Sequence, residues 1–478
     1  MKTQSATQGS LGFLGSKPIR LELSDAHLST DAGLLPIREF DEYFGFTRQF
    51  ADALNSSRRD GSVLHSNQEI VRSRIYGILA EYEDQNDHGT LRHDPIFNII
   101  NNKPLDFELA SQPTHSRFEN SIDIPSLNRL RDVLIDQFIS SFESSPDRIT
   151  LDIDTFDDQT HGGQQLTFFH GFYDQYQYLP RVITCAENDM VIMCCLLFGT
   201  AKAFLAAADD LEYLVERLRE AWPDVDIEFR ADSGFAAPEM FDMCERLCLW
   251  YTIGYGMNPV LKAKSDSLLD EALAAYEDTD EPQRHFMYVD NYRSRSWEAP
   301  RLTIIKCEAN RQGTNRRAVV TNRPGGLINP QGIYDEYVGR GESENRNKEL
   351  KCGLHTDRLS DHRYMANLFR LYMHVESHNL LVRVRNEIVK PTWNPEPDLP
   401  EDALPVDARK RQENRRRRED PLGVGHPSTW RMLVIKVACE VVERARHIRV
   451  KLSSSWPWLN HYRAVVAATS QRLASARE

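Results

Sequence analysis

The segment Arg148-Ile-Thr-Leu-Asp152-Ile-Asp154 decides the fold. Before it, from residue 24 to about 139, apolar residues recur at helical spacing. Leu34, Leu35, Ile37, Phe40, Tyr43 and Phe44 form one stripe, and residues 69–82 form another. At Arg148 the period drops to two, with Ile149, Leu151 and Ile153 on one face and Asp152 and Asp154 on the other. Working outward, residues 165–172, 178–185 and the apolar run 190–198 read as strands, 201–221 as a helix and 226–232 as a strand ending in Asp232. Residues 238–249 then read as a helix and 250–255 as a strand. The pattern is α/β: a mixed sheet with one carboxylate on its first strand and another at a later strand end. Strand ends in open α/β sheets are where chemistry is placed.

Residues 301–307 and 317–321 return to strand patterning, so we expect a β-rich insertion. A long helix follows over about 361–386, with Tyr364, Leu368, Leu371, Val375 and Leu381 as its packing stripe. The expected divisions are a helical N-terminal region (1–147), a first part of the α/β core (148–262), the insertion (263–330), the return of the core (331–390), and a Pro-rich linker with a basic helical C-terminal region (391–478). In that last region two amphipathic segments, around 430–446 and 461–473, are expected to be helical. The cluster Glu83-Asp84-Gln85-Asn86-Asp87 reads as capping and turn residues, as do Asp157 and Asp158.

With 478 residues, 41% hydrophobic and 27% charged, the chain has enough apolar material for a sizeable core. Its net charge of −13 argues against a generic nucleic-acid coat. The balance is uneven, however. Residues 401–478 hold 16 Lys and Arg against 9 Asp and Glu, which leaves −20 for the rest. A basic end on an acidic body suits localised DNA contacts, and Arg415, Arg416, Arg417 and Arg418 are the densest part of it. Eight scattered cysteines read as reduced core residues rather than a zinc site. No signal peptide and no apolar run of ~18 residues is present, so the expected place is the cytoplasm, with no membrane partner.

The second informative stretch is Tyr337-Val-Gly-Arg340-Gly-Glu-Ser-Glu344-Asn-Arg-Asn-Lys348-Glu-Leu-Lys351. A helix starting near Glu344 puts Glu344, Lys348 and Lys351 on one face at i, i+4 and i+7. Carboxylates from two strands and a helix can hold two divalent metals ~3.5–4 Å apart, one activating the nucleophile and the other stabilising the leaving oxygen of a phosphoryl transfer. Oxygen ligands select Mg²⁺ or Mn²⁺ over zinc. Asp154, nearest the strand end, is the expected ligand on the first strand, with Asp152 as the alternative or as a partner beside it. Asp232 and Glu344 complete the set.

These residues resemble a known family. The stretches Leu151-Asp-Ile-Asp154-Thr-Phe-Asp-Asp-Gln-Thr-His161-Gly, Phe168-Phe-His-Gly-Phe-Tyr173, Tyr178-Leu-Pro180 and Arg230-Ala-Asp232-Ser-Gly-Phe235-Ala, with Tyr337-x2-Arg340-x3-Glu344-x6-Lys351, resemble DDE transposases of the bacterial insertion-sequence 1380 group, which carry a tyrosine–arginine–glutamate–lysine signature. So do Glu81-Tyr-Glu-Asp-Gln-Asn-Asp87 and Gln112-Pro-Thr-His-Ser-Arg117-Phe-Glu-Asn120. The resemblance implies a ribonuclease-H-like core, two Mg²⁺ (or Mn²⁺) ions held by Asp154, Asp232 and Glu344, and cut-and-paste transposition. Transposon terminal inverted repeats and target DNA would be the partners, met by a homodimer in the synaptic complex. Tyr337, Arg340 and Lys351 would contact phosphates at the transposon end. Trp297, in the insertion, has two readings: an aromatic that holds a flipped base, as the resemblance implies, or a packing tryptophan. The chain departs from the family pattern at Leu197-Phe-Gly-Thr-Ala-Lys202, where Arg-Pro-Gly is expected, so loop contacts there stay unassigned. Rival functions are a DNA endonuclease on the same core without strand transfer, and a DNA-binding descendant with a dead site; the presence of all three carboxylates speaks against the latter.

Overall fold

The computed structural model describes residues 9–11, 13, 17, 19–21, 23–55, 64–171, 173–388, 415 and 418–475. Three short strands, β1 (Gly9–Leu11), β2 (Ile19–Leu21) and β3 (His27–Ser29), precede Arg148–Thr155, which is β4. The chain continues through β5 (Asp158–Gln159), β6 (Phe168–His170), β7 (Gln175–Cys185), β8 (Val191–Phe198), β9 (Asp226–Ala231) and β10 (Trp250–Tyr255). Then come β11 (Gln283–Tyr292), β12 (Arg301–Asn310) and β13 (Gly313–Thr321). From β4 to β13 these strands form one ten-stranded sheet.

β4 runs parallel to β9, and β9 parallel to β10, while β7 lies antiparallel to both β4 and β8. The helices Ala207–Ala221 and Pro238–Arg246 lie between β8 and β9 and between β9 and β10. Their inward Leu211, Leu214, Leu218, Met240 and Phe241 meet Ile149, Leu151 and Ile153 in one apolar cluster. This is the face the alternation of β4 predicts. The insertion continues the same sheet, because β13 pairs antiparallel with β10. The helices Asp266–Thr279 and Pro330–Val338 both pack against β11 and β12.

The helix Tyr364–Glu387 is buried along most of its length, between the helix Asn67–Leu79 and β8. Its Asn379 amide donates to the Val191 carbonyl at 2.8 Å and accepts from the Val191 N–H at 2.9 Å. A side-chain amide thus satisfies backbone groups that an edge strand would otherwise leave open.

The C-terminal region departs from the helical expectation. Residues 439–452 form a hairpin, β14 (Cys439–Arg444) with β15 (His447–Leu452), and β3 adds to its other edge. Val441, Val442, Ile448 and Val450 are β-branched and fit a pleated surface. A helical reading of 430–446 overlooked this. The last segment is helical as expected, over Leu459–Ser475. N- and C-terminal residues share one core, from Leu34 and Phe40 to Trp430 and Val465, so 1–147 and 418–475 are not separate bodies. The linker 391–405, Arg416 and Arg417 lie outside the described residues. Arg415 is exposed and pairs with Glu419 at 2.9 Å, and Arg418 is exposed. Among the described residues no helix is long and apolar enough to cross a membrane. All eight cysteines are free; Cys248 and Cys352 are exposed and the others buried or half-buried.

Asn379→Ala removes both bonds to a buried strand edge. We expect a loss of about 2–4 kcal/mol in unfolding free energy, since orphaned buried backbone groups cost ~1–3 kcal/mol each. Urea denaturation checks it; an unchanged midpoint would mean that water serves that edge.

Candidate active site

The two aspartates of β4 have different fates. Asp152 is buried and takes a two-pronged ion pair from Arg230 of β9, Nε to Oδ1 and Nη2 to Oδ2, each at 2.7 Å. The third arm of Arg230 donates to the Glu336 carbonyl, on the helix Pro330–Val338, at 2.8 Å. Asp154, two residues on, is only partly buried and faces Arg340 at 3.6 Å. Of the two, Asp154 is the one whose carboxylate is not already bound on both oxygens by a buried partner.

Asp232 follows β9 directly and accepts from the Gly234 N–H at 2.8 Å, capping a short turn over Ser233–Phe235. It sits beside Tyr337: the place a Cβ on Gly254 would occupy is 2.7 Å from the Tyr337 hydroxyl and 3.3 Å from the Asp232 carbonyl carbon. Only a glycine in β10 lets the tyrosine reach this close to Asp232. Arg340 lies 5.9 Å from the Tyr337 ring centre, and its Nη2 meets Glu344 Oε1 at 3.3 Å. Glu344 itself, on the helix Gly341–Lys348, is exposed. That helix packs against β4 and is tied by Arg346 to Asp189 at 2.8 Å.

Burial raises the Asp154 carboxyl to about 6; Arg340 and the Thr155 N–H oppose this, while the charges of Asp232 and Glu344 add to it. The Arg340 guanidinium is raised: burial lowers it, but Tyr337, Asp154, Asp232 and Glu344 outweigh that. Three acids therefore share one electrostatic neighbourhood with one arginine at its centre. Among the described residues no three His, Cys, Asp or Glu side chains are gathered tightly enough to hold a metal ion. The donor chemistry fits a hard divalent cation all the same: oxygen ligands only, with a carboxyl raised first by burial and further by the charges of Asp232 and Glu344.

Lys348 is exposed at the end of its helix. Lys351 leaves the expected stripe, because the chain widens into an i→i+5 turn over Glu349–Gly353. Its ammonium meets Asp157 at 2.5 Å. Asp157 also accepts from the Gln175 amide at 3.1 Å, so it is an ion-pair partner in the link between β4 and β5 rather than a turn residue. Asp158 is not in a turn. It is fully buried in β5, facing Tyr178 of β7, and burial holds its carboxyl well above the usual range.

Trp297 resolves to the packing reading. The indole is 2% exposed. It is ringed by Tyr255, Phe241 and Tyr292 at 5.1, 5.2 and 5.6 Å between ring centres, with the Arg301 guanidinium at 5.5 Å. No face of it is open to a base. Sequence reasoning missed Arg230, Tyr173 and Glu349. The Arg-Ala-Asp spacing could have flagged Arg230, since β9 beside β4 sets Arg230 against Asp152. Tyr173 lies close enough to the site for its hydroxyl to be raised by burial first, then by Asp157, Asp154 and Asp232, with Lys351 opposing. Glu349 is buried against Arg346 at 2.9 Å, Arg385 at 3.2 Å, His426 at 3.3 Å and His378 at 3.4 Å. Burial pushes its carboxyl up, but Arg385 and then His378, His426 and Arg346 hold it well below the usual range.

Compared with known proteins, residues 12–395 match the family described as Transposase DDE domain group 1. No curated protein matches the chain. Among solved structures, a cryo-EM structure of a piggyBac transposase synaptic complex with hairpin DNA is similar at 13% identity and a TM-score of 0.38, over 83% of this chain and 87% of that one.

Two substitutions separate support from chemistry. Asp152→Ala strands Arg230 in a buried place and should cost about 3–5 kcal/mol, whereas Asp154→Ala should leave the melting temperature within a few degrees. A thermal shift of the opposite order would exchange the two roles. Trp297→Ala should likewise cost about 3–5 kcal/mol, as large-to-small core changes do; an undiminished melting temperature would return the indole to the list of surface groups.

Proposed function

This chain belongs to the family of DDE transposase domains, group 1, and on that premise we propose that Asp154, Asp232 and Glu344 are its catalytic carboxylates. It is a DNA transposase, an enzyme that cleaves and joins DNA strands. The observation that carries the assignment is the shared neighbourhood of those three acids around Arg340, built by two adjacent parallel strands and the helix packed on the first of them.

The order β8-β7-β4-β9-β10, with its antiparallel first half and parallel second half, supports a ribonuclease-H-like core. The spacing of Tyr337, Arg340, Glu344 and Lys351 supports the insertion-sequence 1380 group and its four-residue signature. On this reading 148–262 and 331–390 make the catalytic core, 263–330 is its insertion, and the residues before and after them grip the DNA. Two Mg²⁺ or Mn²⁺ ions would be held by Asp154, Asp232 and Glu344, and would supply an activated oxygen nucleophile and charge relief at the leaving oxygen. The chain's own residues do the rest. Tyr337 and Arg340 hold the phosphate at the transposon end, Arg340 by a charge-assisted fork. Lys348 and Lys351 meet neighbouring phosphates, and exposed Arg415 and Arg418, with Arg416 and Arg417, add salt-sensitive affinity. Terminal inverted repeats and target DNA are the substrates, and a homodimer brings two ends together in the bacterial cytoplasm.

Asp154→Asn, Asp232→Asn and Glu344→Gln should each lower strand cleavage on DNA carrying the element's ends by about a thousandfold or more in Mg²⁺, with folding and DNA affinity kept. Wild-type cleavage by any one of them would remove that residue from the set. Cleavage without joining in a plasmid integration assay would leave a hydrolytic nuclease instead.

A further inference from the structure

The widened turn after the Glu344 helix gives Lys351 a fixed backbone and leaves its long side chain to be held by something else. The turn over Glu349–Gly353 is closed from within. The Leu354 N–H donates to the Glu349 carbonyl at 2.9 Å, and the Thr356 N–H and hydroxyl donate to the Leu350 carbonyl at 3.1 and 2.9 Å. The Glu349 carboxylate anchors the same turn through Arg346, Arg385, His378 and His426. A compact ammonium on a flexible four-carbon stem still sweeps a wide arc unless a partner fixes it.

Asp157 is that partner. It lies in the link between β4 and β5, three residues past Asp154, and its Oδ1 meets the Lys351 ammonium at 2.5 Å. The link is tied to β7 on both sides of Asp157: the Phe156 N–H donates to the Pro180 carbonyl at 3.0 Å, and Asp158 pairs with Tyr178. The other oxygen of Asp157 accepts from the Gln175 amide at 3.1 Å, and the same amide nitrogen donates to the Gln177 side chain at 2.9 Å. Gln177 is fully buried. A chain of polar side chains thus runs from the interior at β7 out to the ammonium.

Three acids lie near that ammonium, and one of them is suited to hold it. Burial raises both Asp158 and Asp357, with Lys351 opposing in each case. Burial acts upward on Asp157 too, but Lys351 and Gln175 outweigh it and keep this carboxyl below its ordinary range. The Lys351 and Asp157 side chains are 29% and 26% exposed, so the pair is open to solvent on one side. Asp157 takes one of the three ammonium protons, which leaves donors for an arriving phosphate.

We propose that Asp157 is the positioning residue for Lys351, holding its ammonium beyond the end of β4 so that it meets a phosphate beside the cut in one fixed place. This rests on the reading that Lys351 contacts a phosphate at the transposon end; Asp157 itself acts only through the lysine. The negative charge of Asp157 repels the same strand. The arrangement therefore gives alignment at some loss of affinity, and a variant lacking the charge should show the two effects with opposite signs.

The test uses the full chain, a duplex carrying the element's end, and single-turnover cleavage in Mg²⁺. Asp157→Asn should slow cleavage about tenfold, as misplacing a positioned group does, while affinity for the duplex without Mg²⁺ stays equal or rises up to about threefold. The melting temperature should stay within about two degrees, because the pair is partly exposed. Lys351→Gln should slow cleavage at least as much, and adding Asp157→Asn to it should change the rate by no more than about twofold. Replacing single phosphates beside the cut with methylphosphonates gives a second reading that a purely structural role would not move. The phosphate whose neutralisation slows wild type but not Lys351→Gln should lose most of its effect in Asp157→Asn. Additive losses in the double variant, or a wild-type methylphosphonate pattern in Asp157→Asn, would overturn the proposal. So would cleavage by Asp157→Asn as fast as wild type or faster, with Lys351→Gln impaired, which would make the carboxylate a bystander or a brake. Wild-type cleavage by Lys351→Gln would instead overturn the phosphate contact, and the proposal with it.

Discussion

The bridge between Asp152 and Arg230 sets the geometry of everything around it. Two buried charges in a low-dielectric place bring little net stability when complete and a large penalty when broken. Their value here is positional. Arg230 is fixed on Asp152 by two parallel bonds and reaches the Glu336 carbonyl with its third arm. One side chain thereby locks β4, β9 and the helix Pro330–Val338 in register. Asp154 is two residues past one end of the bridge and Asp232 two residues past the other. Tyr337 is the residue after Glu336, and Arg340 three further on. Asp154, Asp232, Tyr337 and Arg340 are each displaced from that bridge by a short length of chain.

Glu349 has the complementary role on the far side of the site helix. Its carboxylate is shared by Arg346, Arg385, His378 and His426, which come from the site helix, the long helix and the C-terminal region. That hub explains why the terminal regions and the catalytic part share a core: the residue that stops the Glu344 helix is held by both. The widened turn it sits in moves Lys351 off the helical stripe and onto Asp157. Glu344 is exposed on a helix whose far end is firmly held.

Much of this was legible in the chain. The period-two alternation of β4 gave both the strand and its buried face, and Asp232 stands where a strand end places a carboxylate. What periodicity could not give was depth. Asp152 and Asp154 have the same face in sequence, yet one is buried against Arg230 of the neighbouring strand and the other is only partly buried. Trp297 has the same difficulty: in sequence it suits a base-holding aromatic and a packing tryptophan alike, and only the return of the insertion onto β10 brings Tyr255 and Phe241 around it. The C-terminal hairpin was missed because amphipathic spacing over a short window suits both periods, and β3, the strand that completes it, comes from the other end of the chain. The widened turn after Lys348 leaves no mark in a pattern of Glu and Lys.

An acidic chain that handles DNA must keep its carboxylates from repelling the phosphate they act upon. Arg340 answers that requirement locally. It sits among Asp154, Asp232 and Glu344, so the negative charge of the site is offset before any cation or DNA arrives. On the proposed reading Asp154, Asp232 and Glu344 would hold the divalent ions, which would supply positive charge at those oxygens, and Arg340 would hold a phosphate. Its contacts with Asp154 and Glu344, at 3.6 and 3.3 Å, are long for charge-assisted bonds. The Asp152–Arg230 pair, with both bonds at 2.7 Å, is the tighter kind of ion pair. A tight buried pair beside an arginine shared among three acids gives the site a fixed frame and a charge held in common.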